Sequence, residues 1–90
     1  MFFYLFGRKS LIEKIKIADL LLSLGGKENI LDHEICTSRV RLQILNPFKI
    51  DENMLKKCNL PGYSIPEENK IHLIIGPDVE KFYEKLKMYI

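Results

Sequence analysis

The sequence predicts an α+β protein: a two-layer sandwich in which three helices cover one face of a four-stranded antiparallel sheet, in the order α-β-β-α-β-β-α. Two observations carry this. Segments with apolar residues at helical spacing are interleaved with segments that alternate apolar and polar residues. The connections within each strand pair are short, which suits antiparallel hairpins. Amphipathic helices then have one sheet face to cover and leave the other open. The chain has 90 residues, enough for one such domain and not for two.

The elements follow in order. Met1 to Gly7, MFFYLFG, has no clear period. It fits an extra strand, a tail on the core or a foot on a membrane equally well, and residues 1–9 are read as an extension before a single domain at 10–90. Ser10 to Leu24 reads as a helix. Ser10 and Glu13 form a capping box, Leu11, Ile15, Ala18 and Leu22 form one stripe, Ile12 and Leu21 widen it, and Gly25-Gly26 ends it. Ile30 to Ile35 alternates, with Leu31, His33 and Ile35 against Asp32 and Glu34. Arg39 to Leu45 alternates more clearly, with Val40, Leu42 and Ile44 against Arg39, Arg41 and Gln43. Cys36 to Ser38 connects these two strands.

Pro47 breaks the second strand. Asp51 is placed to cap a short helix reaching Cys58, with Ile50 and Leu55 as its hydrophobic staple and Asn59 at its end. Pro61-Gly62 marks a turn, Tyr63 to Ile65 a weak strand, and Pro66 to Asn69 a loop. Lys70 to Ile75 is a better strand, with Ile71, Leu73 and Ile75 against Lys70, His72 and Ile74. Gly76-Pro77 opens the last helix, with proline expected at its first position. Val79, Phe82, Leu86 and Tyr89 form its apolar stripe.

Composition narrows the function. Hydrophobic residues make up 47% and charged residues 29%, as in a folded globule rather than a disordered chain. A net charge of +2 gives no basic stripe for nucleic acid, and no GXXG or aromatic ribonucleoprotein motif is present. The seven-residue apolar start precedes its charges and is far shorter than the ~20 residues that span a bilayer. Cys36 and Cys58 are therefore read as reduced thiols in a cytoplasmic domain. Two cysteines and two histidines do not have zinc-finger spacing. Gly25-Gly26-Lys27 lacks the rest of a P-loop.

The stretch CTSRVR, residues 36–41, carries the chemistry. A cysteine reacts as its thiolate, and nearby cations and loop N–H groups favour that form. Thr37 and Ser38 add hydroxyl donors, and the arginine fork matches phosphate oxygens. The same residues also describe a cysteine packed at a strand end and the solvated face of a strand. His72, on the neighbouring strand face, would strengthen the site if it approached the loop. Cys58, beside Met54 and Leu55, reads as a packing residue.

The order LLSLGGKENI, CTSRVRL, DENMLKK, IHLIIGP resembles the enzyme IIB domain of the glucose family of the bacterial sugar phosphotransferase system. That family reads L-G-G-x-x-N-I, C-x-T-R-L-R, D-x-x-x-L-K and a Q-V-I-F-G-P-like strand, and the likeness covers about residues 18–88. It implies four antiparallel strands covered by three helices. It also implies a function. The motif cysteine, here Cys36, accepts a phosphoryl group from a histidine of enzyme IIA and passes it to a sugar held by membrane-embedded enzyme IIC. Arg39 and Arg41 match the motif arginines, the loop residues Thr37 and Ser38 would cradle the phosphate, and His72 would donate to it. No metal or other cofactor is required. The protein would sit in the cytoplasm, held at the inner face of the membrane through enzyme IIC.

Departures are local: Ser38 for the motif threonine, Val40 for leucine, His72 for glutamine, and NLPGYSIPEEN for a Gly- and Val-rich segment. Two alternatives stand beside the phosphocarrier. One is a regulatory or interaction module of the same fold without sugar phosphorylation. The other is a thiol redox sensor built on Cys36, for which Cys58 is badly placed as a resolving partner.

Overall fold

The computed structural model describes residues 14–90. The Met1 to Gly7 segment, the Ser10–Glu13 capping box, Leu11, Ile12 and the boundary expected between residues 9 and 10 lie outside them. The elements are α1 (Ile17–Ser23), β1 (Ile30–Cys36), β2 (Arg39–Ile44), α2 (Glu52–Lys56), β3 (Gly62–Glu67), β4 (Lys70–Ile74) and α3 (Val79–Lys87), with 3-10 turns at Lys27–Asn29 and Pro47–Lys49. The sheet order is β1-β2-β4-β3, and every pairing is antiparallel. The expected α+β order is present.

Strand position explains the burial. β2 and β4 are central, and their alternating side chains Val40, Leu42, Ile44, Ile71 and Leu73 are all at most 2% exposed. They form one core with Leu20, Leu24, Leu55, Val79, Phe82 and Leu86 of the helical layer. Each such side chain contributes about 1.5–3 kcal/mol by leaving water. The central strands are thus the rigid platform from which Arg39 and Arg41 project to the open face. β1 and β3 are edges, and their burial is only partial.

Several expectations are corrected. The first helix does not run unbroken from Ser10 to Leu24. The chain leaves helical geometry at Ile15 and Lys16, where the Lys16 N–H donates to the Cys58 carbonyl at 3.2 Å. α1 begins after this break, and Ile17, Leu20, Leu21 and Leu24 face the core while Ala18 and Leu22 face solvent. α2 ends at Lys56 rather than Cys58, and Asn59 follows it at φ 66°. β3 continues through Pro66 to Glu67, which shrinks the expected loop to Glu68-Asn69. An edge strand tolerates a proline because one row of its donors has no partner. Pro77 precedes α3 instead of opening it. Asp78 holds the N-cap position, and Tyr89 lies past the helix end, half exposed.

Local signals that did operate include Asp51, whose Oδ1 accepts from the Met54 N–H at 3.1 Å, with Ile50 against the core and Leu55 buried beneath it. Gly25 and Gly26 close α1. Their N–H groups donate to the Leu22 and Leu21 carbonyls at 3.1 and 2.7 Å, the double bond of a Schellman ending. Gly25 has φ +97°, and a Cβ there would lie 2.7 Å from Asn29 Nδ2. Asn29 is 2% exposed. Its Nδ2 donates to the Leu24 and Asn46 carbonyls at 2.7 and 3.0 Å, and its Oδ1 accepts from the Asn46 N–H at 2.9 Å. The Gly-Gly-x-x-Asn stretch is therefore an architectural joint between α1, β1 and the end of β2.

Candidate active site: the Cys36 turn on the open sheet face

A two-residue turn, Thr37-Ser38, joins β1 to β2, and Cys36 pairs with Arg39 across it. Side chains two apart on a strand share a face, so Cys36 lies with Glu34 on the open side. Arg41 pairs with Glu34 on one flank and with His72 of β4 on the other. Beyond His72 lies Ser64 of β3. Pairing thus sets Cys36, Arg39, Arg41 and His72 on one continuous surface.

The sulfur is partly exposed and accepts one side-chain hydrogen bond. Arg41 Nη2 donates to Cys36 Sγ at 3.3 Å. The Cys36 pKa is lowered below that of an ordinary cysteine, chiefly by the Thr37 backbone N–H next along the chain. Partial desolvation opposes this, while the Arg41 charge, the Thr37 hydroxyl and the Arg41 hydrogen bond add to it. These groups favour the thiolate because each interacts better with the charged form.

The other expected site residues divide. Arg39 stands opposite Cys36, but the structure shows no hydrogen bond from it to the sulfur. Ser38 is anchored through its carbonyl, which accepts from the Ile75 and Gly76 N–H groups, each at 2.9 Å. His72 has its pKa lowered from 6.5, first by desolvation and then by the charges of Arg41, Arg39 and Lys70, with Glu34 opposing. These surroundings favour the neutral imidazole. A shallow depression of about 150 Å³ on the sheet face is lined by Glu34, Arg41, Lys70 and His72, among others. A second, of about 350 Å³, lies between Ile35, Cys36 and Thr37 and the start of α3 at Pro77, Val79 and Glu80.

The remaining candidates sit elsewhere. Cys58 is fully buried; its thiol donates to the Met54 carbonyl at 3.3 Å, and burial pushes its pKa up. Its packing role is as expected from the sequence. His33 points to the helical side, with Nδ1 2.8 Å from the Tyr83 hydroxyl. Among the described residues, no group of three or more His, Cys, Asp or Glu side chains could hold a metal ion, and no helix is long and apolar enough to cross a membrane. Two contributors were not named from the sequence as site residues: Ile75 and Gly76, which hold Ser38. The G-P pair was visible, but nothing in the sequence says which carbonyl those amides meet.

No protein-family profile matches the chain. Curated relatives do. The chain is 37% identical over 68 residues, 76% of its length, to the PTS system N-acetylglucosamine-specific EIICB component of Bacillus subtilis. It is 31% identical over the same share to a MurNAc-GlcNAc-specific EIIBC component of Staphylococcus epidermidis. It is 35% identical over 72 residues to the sucrose-specific EIIBCA component of Pediococcus pentosaceus. The fold matches one domain of a PTS system IIabc component from Clostridium difficile, with a TM-score of 0.68 over 89% of this chain and 85% of that one, at 20% identity. The chain is an enzyme IIB homologue of the sugar phosphotransferase system. Within that enzyme IIB frame, the chain spans only 15%, 14% and 11% of the lengths of these three relatives.

Proposed function

We propose that this enzyme IIB domain is a phosphocarrier that accepts a phosphoryl group on Cys36 from a phosphohistidine of enzyme IIA and passes it to a sugar bound by enzyme IIC. The observation that carries the proposal is the Arg41 guanidinium donating to the partly exposed Cys36 sulfur at 3.3 Å. In the first step a sulfur lone pair forms the S–P bond as the N–P bond breaks. The imidazole nitrogen keeps that electron pair and takes a proton from solvent. In the second step a sugar hydroxyl oxygen attacks phosphorus and loses its proton. The S–P pair returns to Cys36, which is again a thiolate.

The protein's part in such a transfer is positioning and charge neutralisation. The groups that favour the thiolate lessen the need for a general base. The Thr37 and Ser38 turn supplies donors at the phosphoryl oxygens. Arg41, bonded to the sulfur, and Arg39, paired with Cys36, both offer their forks from β2 across the hairpin. His72, neutral, is a further donor within the basic surface. Both partners need access to the turn, and its position at the open end of the sheet provides it. The domain would work in the cytoplasm, at the membrane face while bound to enzyme IIC.

Phosphorus NMR of the chain after incubation with phosphorylated enzyme IIA tests this. An S-phosphate resonance that disappears when enzyme IIC and its sugar are added is the expected result. A resonance that persists with every sugar-transport partner would instead favour the regulatory module, and the replaced surface of β3, NLPGYSIPEEN, would be its docking region. No S-phosphate at all would overturn the proposal.

A further inference from the structure

The Cys36 turn is short, exposed and at the end of the sheet, yet it keeps the sulfur 3.3 Å from Arg41 Nη2. Something must hold it. The β2–β4 ladder ends at the Arg39–Ile74 pair. Past that end, the Ile75 and Gly76 N–H groups both donate to the Ser38 carbonyl at 2.9 Å. Two donors on one acceptor fix the peptide between Ser38 and Arg39 against rotation. Ser38 is one of only two residues in the turn, and the other, Thr37, follows Cys36 directly.

Gly76 makes this geometry possible. Its φ is +104°, and a Cβ built there would meet nothing within 4 Å. Glycine is required for the backbone angle and not for space. At that angle the chain swings from β4 into α3. The Gly76 carbonyl accepts from the Val79 N–H at 3.1 Å, which starts the helix beside Cys36 and forms the far wall of the depression there.

We infer that the Ile75-Gly76 turn is a positioning device for the phosphoryl acceptor: its paired amides hold the Ser38 carbonyl and thereby fix the two-residue turn that sets Cys36 beside the Arg41 guanidinium. Gly76 touches no reacting atom and acts only through Ser38. The inference rests on the phosphocarrier reading for its purpose, but its geometry has a readout independent of phosphate.

The test uses the full chain prepared by chemical ligation, in the parent form and as Gly76→Ala and Gly76→D-Ala. A D-residue is at ease at positive φ, and the open space admits either methyl. Three quantities are measured: the melting temperature, the pH midpoint of Cys36 alkylation resolved by peptide mass, and the rate of phosphoryl acceptance from enzyme IIA. Gly76→Ala should raise the midpoint toward that of free cysteine and slow acceptance by roughly tenfold or more. Gly76→D-Ala should restore both. A folded Gly76→Ala with the parent midpoint would overturn the inference, as would a failure of the D-residue to restore it. If Gly76→Ala does not fold, an ester in place of the Ile75–Gly76 amide removes the Gly76 N–H without straining φ. An unchanged midpoint in the ester would overturn the inference as well. Absence of phosphate on the parent itself would defeat the phosphocarrier reading, while the midpoints would still decide the role of Gly76.

Discussion

Replacing Asn29 with alanine isolates the architectural half of the motif from its chemical half. The side chain is 2% exposed and makes three hydrogen bonds, of 2.7, 3.0 and 2.9 Å. Each buried hydrogen bond is worth about 0.5–1.5 kcal/mol net, and stranded backbone partners add their own desolvation cost. The loss is therefore on the order of 3 kcal/mol, from a total of roughly 5–13 kcal/mol for a domain of this size. In melting temperature that is about 12–24 °C, read by circular dichroism. Asn29→Asp should do no better, because it keeps the acceptor for Asn46 but sets a carboxylate against two carbonyl oxygens. The joint lies at the opposite end of β2 from the Cys36 turn. The folded Asn29→Ala protein should therefore show the parent pH midpoint of Cys36 alkylation. A melting temperature within a few degrees of the parent would refute the hydrogen-bond reasoning. A shifted midpoint in the folded variant would refute the separation of joint from site.

Further outcomes follow from the electrostatics. Arg41→Ala should raise the pH midpoint of Cys36 alkylation, whereas Arg39→Ala should leave it near the parent, because only Arg41 bonds the sulfur; equal shifts would contradict this division. In the parent chain Cys36 should alkylate at lower pH than Cys58, whose thiol is buried and pushed the other way; a reversed order by peptide mapping would contradict the burial argument. His72 has a folded-state pKa below 6.5, so the folded state binds fewer protons than the unfolded one on acidification. Its contribution is present above pH 6.5 and is lost as pH falls through the lowered pKa. Urea titrations should show the parent losing stability relative to His72→Gln below pH 6.5, and a difference that is flat with pH would refute the assignment.

The parts of the fold that were legible in the sequence are those whose period is simple. The alternation of Arg39 to Ile44 and of Lys70 to Ile75 reproduced the buried faces of β2 and β4, because central strands bury one full face. The Asp51 cap and the Gly25-Gly26 ending are local chemistry and read directly. The first helix was misphased because the break at Ile15 and Lys16 depends on a tertiary bond to Cys58, which no local pattern encodes. Pro66 read as a loop because edge position is a property of the sheet rather than of the residue. At the site, Cys36, Arg39, Arg41 and His72 share a face because strand period and register dictate it. The unequal roles of Arg39 and Arg41 toward the sulfur and the grip of Ile75 and Gly76 on Ser38 come from turn geometry. Only the folded backbone displays that.

The most direct measurement is the intact mass of the chain after incubation with phosphorylated enzyme IIA, with Cys36→Ser and Cys58→Ser treated alongside. The account predicts one added phosphoryl group on the parent and on Cys58→Ser, and none on Cys36→Ser with its fold intact. A phosphoryl group retained on folded Cys36→Ser would contradict it.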